Sequence, residues 1–302
     1  MRLRSRTRRA SPHPALRVPV RGDGAGRGDW DQVPWTADGV PLLVADPDAY
    51  LAAVGASATA PLDDLPAADR RQLATYLPEV EAPGPLRDAI GEVLDRHLAG
   101  GARVAIEAGC SVGCDTRTLA RVADHVIAFD TDVAAVRVAH ALIEGRAIAN
   151  PIRHEGDMYS SGSVIQASSL QNVTVVAGDA LDPPLQAAAA ELVVAVNLLD
   201  SVAQPLNLLG QLDAMLALGG LLIVASPFAW NDHLTPSDEQ LWVIGGGRPG
   251  SEVLRDLLEG GTPLLPHLSH EVVEQFDVPW VLRDHDRATH HFLVHVCVSR
   301  KR

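Results

Sequence analysis

Small and acidic side chains surround a turn near residue 110. The apolar run Val104 to Ile106 leads into Glu107-Ala108-Gly109-Cys110-Ser111-Val112-Gly113, and a helical pattern begins at Asp115. Small residues at 109, 111 and 113 allow a ligand close to the backbone, and a helix start offers free N–H groups and a positive dipole end. The spacing predicts a nucleotide-like ligand held by Gly109, Cys110, Ser111 and Gly113.

Three acidic residues refine this prediction, because each follows a separate predicted strand. Glu107 is placed to bind an ammonium group. Asp130, which Thr131 follows, is placed to accept hydrogen bonds from both ribose hydroxyls. Asp179, followed by Ala180, is placed near an adenine amino group, although a turn aspartate that caps a helix gives the same pattern. Ligands of open α/β sheets bind outside the carboxyl ends of the strands. Together these residues predict S-adenosylmethionine as a bound methyl donor.

A nicotinamide dinucleotide is the main alternative ligand for such a turn. Its pattern is G-x-G-x-x-G/A, in which the third small residue lies beneath a pyrophosphate. Gly109-x-Ser111-x-x-Cys114 fits this pattern badly, and Glu107 would repel a pyrophosphate. The motif favours the methyl donor. An NAD(P)-dependent oxidoreductase and a catalytically silent donor-binding protein remain as alternative functions.

Further candidate residues follow the next two strands and would face the methyl acceptor. Asn197 and Asp200 lie in Val196-Asn197-Leu198-Leu199-Asp200-Ser201 and are our predicted catalytic residues, with Asn197 also beside the donor. A helix cap and a turn are the alternative interpretation. Trp230, after the fifth strand, is predicted to line the acceptor pocket or else to belong to the core. Their place after successive strands predicts one site for donor and acceptor.

No metal site is predicted, although five histidines occur near the C-terminus. His291 and His295 alone share a face by strand alternation, and the partner cysteines or acids of a typical zinc site are missing from their spacing. Structural or substrate-contacting roles are favoured for these histidines. Cys110 and Cys114 are predicted to be small turn residues rather than nucleophiles, because no motif places a base beside them.

The elements that would position these residues alternate between strand and helix. A helix over 86–98 is followed by strands at 103–107, 125–129, 173–177, 192–196 and 221–225, with helices over 115–122, 133–144 and 205–216. Nearly all-apolar strands of this kind indicate a parallel sheet covered on both faces. Two strand-like runs, 272–281 and 291–298, are too close in sequence for a helical crossover and predict an antiparallel hairpin. The fold class is α/β, with a Rossmann-like sheet.

Composition limits the partners. The 302 residues are 47% apolar and carry a net charge of −13, so a phosphate backbone is a poor partner and a small-molecule substrate is favoured. Three cysteines are too few for a disulfide framework and are typical of the cytoplasm. No apolar run reaches the roughly 18 residues of a membrane helix. A homodimer is compatible with this composition.

The sequence divides into three predicted parts. Residues 1–21 contain seven arginines and no acidic residue, which predicts a disordered basic tail. Residues 22–85 are rich in Pro, Ala, Asp and Gly, with a helix around 67–76, and predict a small N-terminal lobe or lid. Residues 86–302 would then form the domain that binds the donor.

From Val104 onward the chain resembles the C-terminal methyltransferase domain of ovothiol-synthesising enzymes, the mercaptohistidine N-methyltransferases. The likeness rests on the glycine turn, Gly178-Asp179-Ala180, Val196-Asn197-Leu198-Leu199-Asp200, Gly219-Gly220-Leu221-Leu222-Ile223-Val224-Ala225-Ser226-Pro227-Phe228-Ala229-Trp230 and Phe276-Asp277-Val278-Pro279-Trp280-Val281-Leu282-Arg283. The last three segments are more distinctive than the first two, which are generic to methyltransferases. The resemblance implies S-adenosylmethionine as cofactor and a class I methyltransferase fold.

The same resemblance implies an acceptor with an imidazole ring, related to histidine or thiohistidine and methylated on a ring nitrogen. Trp280 and Arg283, within the last of the similar segments, would then be substrate contacts. Attack by one ring nitrogen is easier when a carboxylate accepts the proton of the other, so Asp200 is the candidate for that role and Asn197 would orient the ring. A natural-product O- or N-methyltransferase with another small acceptor is the alternative.

Overall fold

The fold was analysed from a computed structural model, which describes residues 12–18, 30–260 and 262–302. Its helices are α1 Pro47–Thr59, α2 Ala67–Glu81, α3 Pro85–His97, α4 Thr116–Val122, α5 Val133–Ile143, α6 Pro205–Met215, α7 Leu241–Ile244 and α8 Gly250–Leu258. Its strands are β1 Leu42–Leu43, β2 Ala102–Ala108, β3 Ala123–Asp130, β4 Ile148–Glu155, β5 Met158–Ile165, β6 Val173–Gly178, β7 Ala190–Val196, β8 Leu216–Ser226, β9 His270–His285 and β10 Ala288–Lys301.

A central eight-stranded sheet has the order β1-β6-β3-β2-β7-β8-β10-β9. The pairs from β1 through β8 are parallel, and β10 is antiparallel to both of its neighbours. The strand centres are almost wholly buried, as the apolar runs predicted. The prediction of a Rossmann-like α/β sheet that ends in an antiparallel hairpin is confirmed.

The chain order reverses between β2 and β7, so that β6 and β3 lie on one side of this point and β8 on the other. Open α/β sheets bind ligands in the crevice at such a reversal. The carboxyl ends of β2, β3 and β7 carry Glu107, Asp130 and Asn197. The topology therefore gathers the predicted site residues at one edge of the sheet.

Helices cover both faces of the sheet. The amphipathic helix α3 packs Leu86, Ile90 and Val93 on one face, in a cluster that includes side chains from the second half of β9 and the middle of β10. On the other face, α6 and α8 bury a row of leucines against β7 and β8. This arrangement leaves the carboxyl ends of the strands for loops.

The crossover from β6 to β7 is a non-helical segment, 179–189, and N-terminal residues cover it. Leu16 is buried there and forms a backbone bridge with Leu185, while Arg17 pairs with Asp182 at 2.7 Å. Residues 12–18 belong to the segment predicted as a disordered tail, and this part of it is packed instead. The apolar side chain of Leu16 was the overlooked signal. Residues 1–11 and 19–21 lie outside the described residues.

The predicted N-terminal lobe contributes to the main sheet. Its strand β1 pairs with the end of β6, which makes it the edge strand of the sheet. Arg137 of α5 is 1% exposed and ties this region down through an ion pair with Asp38 and hydrogen bonds to the carbonyls of Ser57 and Ala60. Residues 30–85 are therefore built into the domain rather than set apart from it.

One insertion was not predicted at all. Between α5 and β6 the strands β4 and β5 form a separate two-stranded antiparallel sheet. The pattern of these residues is only partly alternating, and Pro151 and Gly156 interrupt it. The hairpin contacts the far end of β9, where Arg153 pairs with Asp284 at 2.6 Å. Among the described residues, no helix is long and apolar enough to cross a membrane.

Candidate active site at the carboxyl ends of the strands

Three residues at the strand ends have a left-handed backbone that side chains rarely adopt. Ser111 follows β2 with φ 48°, Asn197 follows β7 with φ 55°, and Phe228 follows β8 with φ 50°. Such strain is held in place only where the surrounding structure enforces it, and it clusters at functional sites. Three such positions after neighbouring strands mark this edge as a site.

Unpartnered polar atoms lie at the same edge. The Oγ of Ser111, the Oδ1 of Asn197 and the Oδ1 of Asp200 are buried and have no hydrogen-bond partner among the described residues. A buried polar atom without a partner is costly and calls for an explanation. A ligand with hydrogen-bonding groups, bound between these loops, would satisfy all three.

The glycine turn forms a close cradle. Its backbone is fixed because the amides of Gly109 and Cys110 both donate to the carbonyl of Phe129, at 2.9 and 3.0 Å. Gly109 has φ +75°, and a Cβ there would lie 2.9 Å from the side chain of Leu198. Glycine is thus required here by the positive φ and by the packing of Leu198, and the approach of a ligand to this backbone stays a prediction.

The two cysteines of the turn are core residues. Cys110 is buried against Val40 and Val136, so only its backbone faces the turn. Burial raises the pKa of both thiols, Cys110 and Cys114, well above the ordinary value. Both side chains are thus held as thiols.

Glu107 fastens the turn to the next helix. Its carboxylate accepts hydrogen bonds from the amide of Asp115, at 3.3 Å, and from the hydroxyl of Thr116. Burial, together with the nearby Asp115 carboxylate, raises the pKa of Glu107 to about 8. The structure thus gives Glu107 a role within the turn. Its predicted contact with an ammonium group stays a prediction.

A buried ionic cluster lies behind Glu107. Arg87 of α3 binds the Asp115 carboxylate and also donates to Glu79 of α2 at 3.1 and 3.2 Å. The indole N–H of Trp280 donates to the other oxygen of Glu79 at 2.7 Å. This cluster ties α2, α3, β9 and the start of α4 to one another. It went unpredicted because its four residues lie on separate elements, and no local pattern shows that these elements meet.

Asp130 is fixed at the end of β3. Its two carboxylate oxygens accept from the backbone amides of Ser111, at 2.8 Å, and Asp132, at 2.9 Å. Burial raises its pKa despite these bonds. The hydroxyl of Tyr50 donates to the carbonyl of Thr131 at 2.5 Å, which holds α1 beside this strand end. Asp130 thus joins the glycine turn to β3 at the place predicted for ribose.

Asp179 makes a local turn. Its Oδ1 accepts from the amide of Leu181 at 2.8 Å, and the following Ala180 is buried. This bond is the one that the turn interpretation requires. Because Asp179 follows β6, next to β3 in the sheet, it still shares the edge with Asp130. Its contact with adenine stays a prediction.

Asp200 joins the two loops on the acceptor side. Its Oδ2 accepts from the amide of Ala229 at 2.7 Å. Burial raises the pKa of Asp200. Trp230 lies beside Phe228, with ring centroids 6.1 Å apart. The bond from Ala229 to Asp200 therefore places the loop of Asn197 and Asp200 beside the loop of Trp230, while their roles stay predictions.

Trp280 and Arg283 are not part of this group. Trp280 packs on the face covered by α3, stacked on Phe292, whereas Trp230 packs on the opposite face with α6 and α8. Arg283 is exposed near the tip of the β9–β10 hairpin and pairs with Asp286. Alternation along β9 sends neighbouring side chains to opposite faces, which a local motif does not reveal.

Sequence reasoning did not single out Phe228, and it left His295 between a structural and a substrate-contacting role. Their rings lie 6.2 Å apart, and His295 is opposite Ser226 in the β8–β10 ladder. Only the pairing of distant strands brings them to the site. Across the described residues, no group of three or more His, Cys, Asp or Glu side chains could hold a metal ion.

Comparison with known families finds one match. Residues 106–224 match the family model described as a methyltransferase domain, a segment that runs from β2 to β8. The match is to methyltransferases in general and does not confirm the resemblance to mercaptohistidine N-methyltransferases. A search of curated proteins found no match.

Several solved structures are similar to this chain. The N-methyltransferase NodS from Bradyrhizobium japonicum, in complex with S-adenosyl-L-homocysteine, is 16% identical, with 78% of this chain and 96% of that chain covered and a TM-score of 0.47. A SAM-dependent methyltransferase from Aquifex aeolicus is 12% identical, with 79% and 100% covered and a TM-score of 0.46. At these values the likeness adds no argument beyond the sheet order and the family match.

Proposed function

We propose that this chain, a methyltransferase by its domain at residues 106–224 and a user of S-adenosylmethionine, transfers the methyl group to a small-molecule acceptor held at the Asn197–Asp200 loop. The observation that carries this proposal is the group of unpartnered atoms at the strand ends, Ser111 Oγ, Asn197 Oδ1 and Asp200 Oδ1. They lie on both sides of the reversal point between β2 and β7. The proposed donor and acceptor therefore meet at that crevice.

The residues at this edge fit the donor. Gly109 allows the left-handed turn that presents the backbone after β2, and the Ser111 hydroxyl is buried without a partner among the described residues. Asp130, Thr131 and Asp179 would hold the nucleoside, while Glu107 would hold the ammonium group. When bound, the donor supplies an electrophilic methyl group on a positively charged sulfur. The protein contributes mainly alignment and an electrostatic environment.

On the acceptor side, Asp200 and Asn197 carry the proposal. The free Oδ1 of Asp200 is suited to accept a hydrogen bond from the acceptor, since its other oxygen is already held by Ala229. The free Oδ1 of Asn197 would orient the same molecule. An imidazole nitrogen of a histidine or thiohistidine derivative is our first candidate acceptor, with Asp200 on the ring N–H. Trp230 and Phe228 would form the wall.

A different small acceptor, such as that of a natural-product O- or N-methyltransferase, is the second candidate. The resemblance to mercaptohistidine N-methyltransferases assigned Trp280 and Arg283 as substrate contacts. Because both lie away from Asp200, this support for a histidine-related acceptor is lost, which favours the second candidate. Incubation with isotope-labelled methyl donor and a panel of imidazole, amine and hydroxyl compounds, followed by mass spectrometry, tests both candidates. Absence of labelled product from every compound would contradict the proposal.

The role of Asp200 has its own test. Asp200→Asn should lose most turnover, because an amide oxygen is a weaker hydrogen-bond acceptor and lacks the negative charge that stabilises positive charge on the acceptor. Donor affinity measured by calorimetry should stay near that of the wild type. Asp232→Asn, at an exposed aspartate of the neighbouring loop after β8, is the matched control and should keep full turnover. Full turnover in Asp200→Asn would remove Asp200 from the reaction.

A further inference from the structure

We propose that His295, oriented by Asp277, is the base that takes the proton from the attacking atom of the acceptor. This inference rests on the proposed methyl transfer and narrows its acceptor to compounds whose attacking oxygen or nitrogen carries a proton, such as a hydroxyl or an amine, which favours the second candidate acceptor over an imidazole ring. His295 lies on β10 and Asp277 on β9, both outside the family match at residues 106–224.

The sheet register places His295 at the acceptor side of the site. In the antiparallel pairing of β10 with β8, His295 is opposite Ser226, the last residue of β8. Side chains directly opposite each other on antiparallel strands share a face. The Ser226 hydroxyl accepts from the Phe228 amide at 3.0 Å, and Asp200 accepts from the amide of the next residue, Ala229, at 2.7 Å. His295 therefore emerges next to the loop that carries Asp200.

The ring of His295 is held in the form that a base needs. Its Nδ1 lies 2.7 Å from the Oδ1 of Asp277. An ionised carboxylate only accepts hydrogen bonds, so Nδ1 carries the hydrogen and Nε2 presents a lone pair. Nε2 is buried and has no partner among the described residues. A carboxylate on Nδ1 also stabilises the imidazolium that forms when Nε2 takes a proton.

Exposure of the pair suits proton release. The His295 side chain is 15% exposed, while that of Asp277 is 52% exposed. The pair thus reaches from the enclosed strand end to water. Asp200 is less free to act as the base, because its Oδ2 holds the amide of Ala229 and so joins the loop after β7 to the loop after β8. Its remaining oxygen is better suited to position the acceptor.

Methyl transfer and loss of a proton occur at the same atom of the acceptor. The attacking atom of the acceptor forms a bond to the methyl carbon, and the carbon–sulfur bond breaks with its electron pair remaining on sulfur. The proton of the attacking atom moves to Nε2 of His295. The products are the methylated acceptor, a neutral thioether and an imidazolium paired with Asp277, which then loses its proton to water.

The first test needs no acceptor. In the full chain labelled with nitrogen-15 histidine, NMR at pH 8 should show His295 with hydrogen on Nδ1 and none on Nε2, and Asp277→Asn should shift the tautomer toward Nε2–H. Spectra of His295→Gln identify the resonances. A hydrogen on Nε2 in the wild type would overturn the proposal.

The second test measures turnover with any compound that the methylation assay identifies. His295→Gln should lower turnover by about 100-fold or more, the usual contribution of a general base, with donor affinity within twofold of the wild type to show an intact fold. His291→Gln, on the same face of β10 and exposed, is the control and should be unchanged. Undiminished turnover in His295→Gln would overturn the base assignment. Lack of any product in the wild type would instead contradict the proposed function. The NMR measurement of the His295 tautomer would then be the test of this proposal.

Discussion

Removal of the Arg87 guanidinium should be the most damaging single change near the donor turn. Arg87 is the only cation in the described cluster of Glu79, Asp115 and Glu107, and its side chain and the carboxylates that it binds are at most 10% exposed. Arg87→Met keeps most of the volume but leaves two buried carboxylates without their partner. Breaking a buried pair in this way costs about 3 to 5 kcal/mol.

The loss is measured by urea unfolding followed by tryptophan fluorescence. A chain of this size shifts its midpoint temperature by about 2 °C per kcal/mol, so Arg87→Met should melt about 6 to 10 °C lower. Addition of Glu79→Gln should restore part of this loss, because it removes one of the unpaired charges. Arg121→Met is the control, since Arg121 is exposed and should change stability by less than about 0.5 kcal/mol.

Arg87 should also affect donor binding. The cluster holds α2, α3 and β9 against the start of α4, so Arg87→Met should weaken donor binding in calorimetry even at temperatures where the chain is folded. A loss of less than about 1 kcal/mol in Arg87→Met, or a loss equal to that of Arg121→Met, would refute the view that these carboxylates depend on Arg87.

Two further predictions concern the donor turn. Asp130→Ala should lower donor affinity in calorimetry tenfold or more, because a charge-assisted hydrogen bond contributes roughly 1.5 to 3 kcal/mol; equal affinity would exclude Asp130 from the site. For Glu107, the folded-state pKa near 8 lies above the ordinary value of about 4.3, so the stability that this group contributes is complete below about pH 4.3 and is lost as the pH rises through 8. Glu107→Gln should abolish this pH-dependent part of the unfolding free energy, so its urea midpoints at pH 5 and pH 8 should differ less than those of the wild type. An equal difference in the two proteins would contradict the prediction.

The parts of the fold that could be predicted are those with local signals. The helix α3 shows apolar residues at helical spacing, and the strands that follow it are continuous apolar runs between turn residues. The hairpin of β9 and β10 followed from the short distance between two strand-like runs. Residues at strand ends, such as Asp130 and Asn197, could be predicted because parallel strands end at one edge.

What could not be predicted depends on contacts between distant segments. The sequence of β10 does not indicate that it lies between β8 and β9. The position of His295 beside the loop after β8 therefore could not be predicted. Likewise Leu16 covers a crossover more than 160 residues away, at Leu185. Trp280 illustrates the reverse case, because a distinctive local motif suggested a site residue whose strand directs it to the other face.

The place of β10 between two strands that precede it has a consequence for folding. Until β10 docks, the long apolar edge of β8 is open, and such an edge invites pairing with another molecule. β9 and β10 are joined by a very short turn, so they can pair with each other first and reach β8 as a finished hairpin. Closure of the edge then takes one encounter rather than two. We expect this encounter to limit the refolding rate and to set how strongly refolding depends on protein concentration.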